Sequence, residues 1–421
     1  MSFFRSKGKD PEWLRPPDDD AGPSRSPAPS ISERGSQAGS HRSEDSSISK
    51  QQRKWDDPPD EKEPEFPMAQ QVTTMVLALK NKFAAITGFE VEQLGFTTSD
   101  AHLVCRLPPA MNNSTRTSGV LSSQIVMFDV NTMRRKNIRP APSGGLRTHG
   151  DFALSPGPGL AMMATAFRMT EHRQADDRAG TSDGVSGCPR VEVFDLFTDK
   201  RRIKADVALR GPLACMPDGS HLAAIPIRTP SRIAILDLRN ELRPVISRLV
   251  QVHSSLVTHL SVTPDGTALV SASTDGSIRM TSLQSGRTLR KAEVDTRVPA
   301  SLVRLSMDGD LVVSVWGRQV YSWRLNADTM SVFNLDTVRQ SEGWPLAISP
   351  DGQHLACRTE DGIDVIDAET GLFRADYPLD AGHQLITTAA FSHNNRWLAL
   401  GDYGGQVTVL EVITATIDGS C

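Results

Sequence analysis

Aromatic residues are scarce in this chain, at 5% of 421 residues, with only three tyrosines. That argues against an aromatic platform for stacking single-stranded nucleic acid. Positive charge is not in excess either. Lys and Arg number 46 against 50 Asp and Glu, for a net charge of −4, and a nucleic-acid footprint needs the opposite balance. Cysteine is sparse. Cys105, Cys188, Cys215, Cys357 and Cys421 are odd in number and never in Cys-x-x-Cys spacing. They read as free thiols of a reducing compartment, cytoplasmic or nuclear, not as a zinc site or disulfide framework. No apolar run is long enough for a signal peptide or a membrane span: Met1 to Arg5 reads M-S-F-F-R and then turns charged and proline-rich. Catalytic signatures are missing as well. None of the ten histidines lies in H-E-x-x-H or H-x-x-E-H spacing, and no G-x-S-x-G elbow, phosphate loop or G-x-G-x-x-G fingerprint occurs. The expectation is no catalytic residue, no cofactor and no metal.

What is present is repetition. From His253 to Arg290 three short strand-like runs, with a fourth in prospect from Thr288, are separated by Pro264-Asp265-Gly266, Thr274-Asp275-Gly276 and Gln284-Ser285-Gly286. Asp-Gly between alternating apolar and polar residues is a strong hairpin signal, because positive φ costs glycine little. The first tip recurs at Asp218, Asp265, Asp308, Asp351 and Asn394, in steps of 47, 43, 43 and 43 residues. Two looser copies precede these, Phe152 to Gly157 and Leu94 to Asp100. Periods of about 40–45 residues with four strands each mark propeller blades. The count predicts seven units between about residue 89 and the C-terminus. Leu260, Val262, Leu269, Ile278 and Met280 are expected core between adjacent sheets.

The third strands end alike, at Phe128-Asp129, Phe194-Asp195, Leu236-Asp237, Thr281-Ser282, Trp323-Arg324, Ile366-Asp367 and Leu410-Glu411. Here the chain resembles the WD40 repeat family, whose signature is a Gly-His start, an Asp in the second hairpin and a closing Trp-Asp. His253, Ser271 or Ser273, and Asp275 match the His, Ser and Asp of that family's buried hydrogen-bond tetrad. Its Trp position is Thr281. Gly382-His383 is a second start, whose Asp position falls on Gly404; only Trp323 keeps the Trp. The resemblance implies an all-β, seven-bladed β-propeller of four-stranded antiparallel blades. A related propeller with Pro-Asp-Gly hairpins but a different closure stays open.

Residues 1–66 read as a disordered tail, too poor in apolar residues to offset the entropy of ordering. Ser26-Pro27 and Ser43-Glu44-Asp45 are phosphorylation-like contexts within it. Residues 67–88 form a helix or a closing strand. Val72, Met75, Val76, Leu79, Phe83 and Ile86 fall at helical spacing before Gly88, which favours a short helix, while the last blade needs a fourth strand that Val72–Leu79 or 413–417 could supply. The propeller itself takes 89–421.

Blades one and two carry polar insertions between their second and third strands, 108–119 and 168–189. Both insertions belong on the face where one blade links to the next. The candidate partner-binding residues there are Asn112, Asn113 and Arg116, with Arg168, His172, Arg173, Asp176, Asp177 and Arg178. A flexible loop does not preorganise a metal shell from His172, Asp176 and Asp177.

The resemblance implies a non-enzymatic intracellular scaffold that binds protein partners, with no nucleic acid and no membrane span. Two alternatives remain. A metal-dependent, lactonase-like propeller hydrolase would need acidic or imidazole groups meeting on the axis, where the inner strands offer mainly Ser, Thr, Ala and His259. A phosphoinositide-binding propeller carries an F-R-R-G motif, which Arg134-Arg135-Lys136 and Arg201-Arg202 lack.

Overall fold

The chain divides at residue 66, and residues 67–421 form one unit. In the computed structural model the described residues all fall in that unit: 72–84, 90–107, 124–132, 134–138, 148–149, 152–155, 162–169, 190–196, 198, 200–205, 207–295, 298–338, 343–379 and 384–417.

Within them the tips of the repeats are built from hydroxyls as well as Asp and Gly. Thr263, Ser306 and Ser349 donate to the carboxylates of Asp265, Asp308 and Asp351, and Ser392 to Asn394. Each hydroxyl oxygen then accepts a backbone N–H five residues on, from Ala268, Leu311, His354 and Trp397 at 2.8–2.9 Å. One short side chain thus ties both ends of the hairpin while the Asp satisfies the turn. The chain reverses through positive φ at Gly219, Gly266, Gly309 and Gly352, and the equivalent positions in the first and last repeats are Asp100 (φ 55) and Asn395 (φ 59). Asp and Asn are the non-glycine types that best tolerate this region.

Six sheets are four-stranded and antiparallel, each running from an inner to an outer strand in chain order, the last repeat excepted at its outer edge. Repeat four has Val257–Val262, Ala268–Ser273, Ser277–Ser282 and Thr288–Glu293. The structure thus has six four-stranded blades, not the expected seven. Repeat two departs: its sheet holds five strands, because Thr148–His149 and Phe152–Leu154 both pair with Met162–Met169. The two segments keep one register against that strand, Thr148↔Met169 and Phe152↔Thr165. Gly150 and Asp151, two residue types depleted in strands, lie between them.

The helical reading of residues 67–88 does not hold. Val72–Ala84 is a 13-residue strand that pairs antiparallel with Gln406–Ile417, from Val72↔Ile417 to Ala84↔Gln406, with one bulge at Lys80. It is the outer strand of the last repeat, and residues 413–417 extend the third strand instead of forming a fourth. Met75 and Leu77 are buried while Thr74 and Val76 are exposed, an alternation of period two. The helix-spaced apolar set is overridden because Gln406–Ile417 would otherwise leave a long edge unpaired.

The inner strands of repeats two to seven lie side by side, and that of repeat seven lies beside that of repeat one. Gln93 closes the remaining gap, donating to Phe152 O at 3.1 Å and accepting from Phe152 N at 3.3 Å. A separate hydrophobic cluster fills each space between neighbouring sheets. Val270, Ala272 and Ile278 of repeat four pack with Val312, Trp316 and Trp323 of repeat five, while Met75 and Leu77 join the cluster between repeats six and seven. Of the expected core in repeat four, Leu269 and Ile278 are fully buried; Leu260, Val262 and Met280 are partly buried and packed against these clusters.

Candidate functional site

His253 stands at the start of repeat four, and its side chain is buried beneath the second hairpin. Its Nε2 lies 2.8 Å from Ser271 Oγ, and its Nδ1 lies 3.1 Å from Asp275 Oδ2 and 3.1 Å from Ser277 Oγ. Ser273 is not a partner of the imidazole: its Oγ accepts the Asp275 N–H at 3.2 Å. Ser277 is the member that sequence matching missed. It donates to Asp275 at 2.6 Å, and Ser254 N donates to the same carboxylate at 3.0 Å. Thr281, at the position where the WD40 pattern has Trp, is buried and its Oγ1 has no hydrogen-bond partner.

Burial is the largest influence on both titrating groups. It lowers the His253 pKa, against the partial opposition of Asp275. It works against charge on Asp275, but the hydrogen bonds from Ser277, Ser254 and His253 outweigh it and hold that carboxyl well below the usual range. The arrangement is therefore a neutral imidazole with Nδ1–H toward an ionised Asp275 and Nε2 accepting from Ser271. It ties the segment that leads into the inner strand Val257–Val262 to the hairpin beside it.

Of the three exposed aromatics among the described residues, the face on which the repeats are linked carries two, while Phe373, 41% exposed, starts the outer strand of repeat six at the opposite end. Trp344 opens the inner strand of repeat six and is 54% exposed; Tyr403, in the second hairpin of repeat seven, is 58% exposed. Leu385 is exposed too, and its carbonyl accepts the Tyr403 N–H at 2.8 Å. Val298, ahead of the inner strand of repeat five, is exposed on the same face. These residues went unremarked in the sequence because isolated apolar residues beside turns carry no periodicity. Arg168 lies within the strand Met162–Met169, paired with His149, and not in the insertion expected to begin with it. Asn112, Asn113, Arg116, His172, Arg173, Asp176, Asp177 and Arg178 lie outside the described residues, as does His383.

A channel of about 480 Å³ runs between the inner strands, with lining from all seven repeats. Its wall is mostly apolar, with Gln93, His259, Ser261, Arg304, Ser306 and His393 as polar groups and no Asp or Glu among the described residues. No cluster of three or more His, Cys, Asp or Glu side chains occurs among the described residues.

This geometry has known counterparts. Residues 245–282 match the family profile described as WD domain, G-beta repeat (WD40). The match begins in the outer strand of repeat three and ends with the third strand of repeat four. The fold is similar to a chain in the crystal structure of a Mitotic Checkpoint Complex, at TM-score 0.57 and 13% identity over 86% of this chain and 98% of that one. It is also similar to the β-propeller domain of Cps50 (Swd1) from Myceliophteria thermophila, at TM-score 0.56 and 14% identity over 80% of this chain and all of that one. The curated meiotic recombination protein rec14 of Schizosaccharomyces pombe is 28% identical over 153 residues, 35% of this chain. The chain spans half the length of that relative. The fold is thus a β-propeller, and residues 245–282 carry a repeat similar to those of the WD40 family.

Proposed function

We propose that the chain is a non-enzymatic scaffold that binds protein partners through the face on which its repeats are linked. The observation that carries this reading is the exposure of Trp344 and Tyr403, with Leu385 and Val298, on that one face. Tyr and Trp dominate the energetics of protein interfaces, since each presents a large rigid contact area with a polar tip. The proposed surface includes the two polar insertions expected on the same rim, with Asn112, Asn113 and Arg116 in one and His172, Arg173, Asp176, Asp177 and Arg178 in the other. Membership of a propeller of similar fold in an assembly titled a Mitotic Checkpoint Complex, and the recombination role named for rec14, support the reading at the level of class. The buried free thiols Cys105, Cys215 and Cys357 suit an intracellular, reducing location. Among the described residues no helix is long and apolar enough to cross a membrane.

The test is affinity capture from cells with quantitative mass spectrometry. It compares the native chain with Trp344→Ala/Tyr403→Ala and with a chain lacking 170–189. Partners recovered with the native chain should fall at least tenfold with the double variant, and its melting temperature should stay unchanged because both side chains are exposed. Recovery of the same partners at the same level by both altered chains would remove this reading.

A further inference from the structure

Among the described residues Arg304 is the one arginine or lysine side chain on the channel wall, and it sits at a level where every other repeat has a small residue. The equivalent positions, two residues before the tip hydroxyl or its counterpart, are Gly95, Ala153, Ala214, Ser261, Ala347 and Ala390, and all of them line the channel. A ring of Gly, Ala and Ser leaves open space around a single guanidinium. Among the described residues that guanidinium has no hydrogen bond and no carboxylate at ion-pair distance. The charge that acts on it, Asp351, is engaged elsewhere, by Ser349, by Gln353 N at 3.0 Å and by Asn395 Nδ2 at 2.6 Å. Arg304 is half-buried, still reached by water through the channel, and the walls around it pull its pKa down to about 10. Scaffolding does not require such a group.

We infer that the channel binds an oxyanion, a carboxylate or a phosphate, on the guanidinium of Arg304. The planar fork of five N–H donors matches either group in a bidentate manner. No Asp or Glu lines the channel to repel it among the described residues. Ser261, from the neighbouring repeat at the same level, carries a hydroxyl, and His393 lies nearer the tip face. The volume of about 480 Å³ admits a small anion or one acidic side chain with water. This site is distinct from the exposed aromatic face, and the two readings fail separately.

The experiment measures thermal stability and calorimetric binding of the full chain in sodium phosphate and in sodium citrate, against sodium chloride at matched ionic strength. Both anions also stabilise folded proteins by exclusion from the surface, so only the part of the stabilisation that Arg304→Gln loses counts: lost with phosphate alone it identifies a phosphate site, with citrate alone a carboxylate site, and with both a general oxyanion site, each supporting the inference. Arg304→Gln, which keeps much of the side-chain shape, should weaken that binding by about 10- to 100-fold. Arg304→Lys should retain part of it. Trp344→Ala/Tyr403→Ala should bind the anion as the native chain does. The inference is overturned if neither anion stabilises the native chain beyond chloride, or if Arg304→Gln responds as the native chain does.

Discussion

The carboxylate of Asp100 accepts the backbone N–H of His393 at 2.7 Å, joining the first tip of the ring to the last. The same side chain accepts Asn394 N at 3.0 Å and faces His393 Nδ1 at 3.2 Å. Asp100 is nearly buried and holds positive φ where four other repeats use glycine. Its retention of a β-carbon in that conformation is explained by these bonds. The next tip contact repeats the device, with Asn395 donating to Asp351.

Asp100→Gly relieves the backbone but removes the pin, while Asp100→Ala removes the pin and keeps the strain. Both should destabilise, by about 1–3 kcal/mol for buried donors left unpaired, and Ala should cost more than Gly by about 1 kcal/mol. Urea denaturation of the two variants checks the order; a more stable Asp100→Gly would show that backbone strain outweighs the pin.

Residues 72–84 act as a strand, so buried and exposed positions alternate. Leu77→Asp should destabilise by several kcal/mol, because it places an unpaired carboxylate between repeats six and seven. Val76→Asp and Leu79→Asp, at 55% and 53% exposed positions, should change stability by no more than about 0.5 kcal/mol. Thermal melts of the three variants distinguish this from a helix, on which Val76 and Leu79 would share the buried stripe with Met75.

Acid should weaken the fold in two stages. The pKa of His253 is lowered on folding, so below about 6.5 the unfolded chain binds the extra proton first, and stability falls as the pH drops. His354, lowered chiefly by burial, adds to the same window. Asp275, whose folded pKa is depressed, contributes stability that is full above about pH 4 and lost below it. Urea midpoints at pH 8, 7, 6 and 5 should decline through the histidine range. His253→Gln should lower the midpoint at pH 7 and flatten that decline, and an unaltered slope would exclude His253 as its source.

Burial raises the thiol pKa of Cys105, and pushes Cys215 and Cys357 up to about 12. Iodoacetamide at pH 8 should leave these three unmodified in the folded chain and label them in urea, as read by peptide mass spectrometry.

Trp316 is 1% exposed, lies between repeats four and five, and donates its indole N–H to Ser314 at 3.0 Å. Trp316→Ala should cost about 3–5 kcal/mol. Trp316→Phe should cost less; equal losses would mean that the buried hydrogen bond matters more than the volume.

Much of this protein is written locally. The turn residues Asp265, Asp308 and Asp351, with the glycines that follow, announce the hairpins, since a tight reversal needs positive φ within four residues of chain. Their 43-residue recurrence announces the stacked sheets. His253, Ser271 and Asp275 could be matched because all lie within one repeat, as does Ser277, which the pattern missed. Other features depend on residues brought together from opposite ends of the chain. The apolar spacing of Val72 to Phe83 suits a helix when taken alone, and only the unpaired edge of Gln406–Ile417 turns it into a strand. Arg304 is an ordinary strand residue until the surrounding repeats place Gly, Ala and Ser around it, with no partner for its charge among the described residues. Turn chemistry and periodicity act between neighbours in sequence, whereas ring closure and the contents of the channel follow from which strands meet.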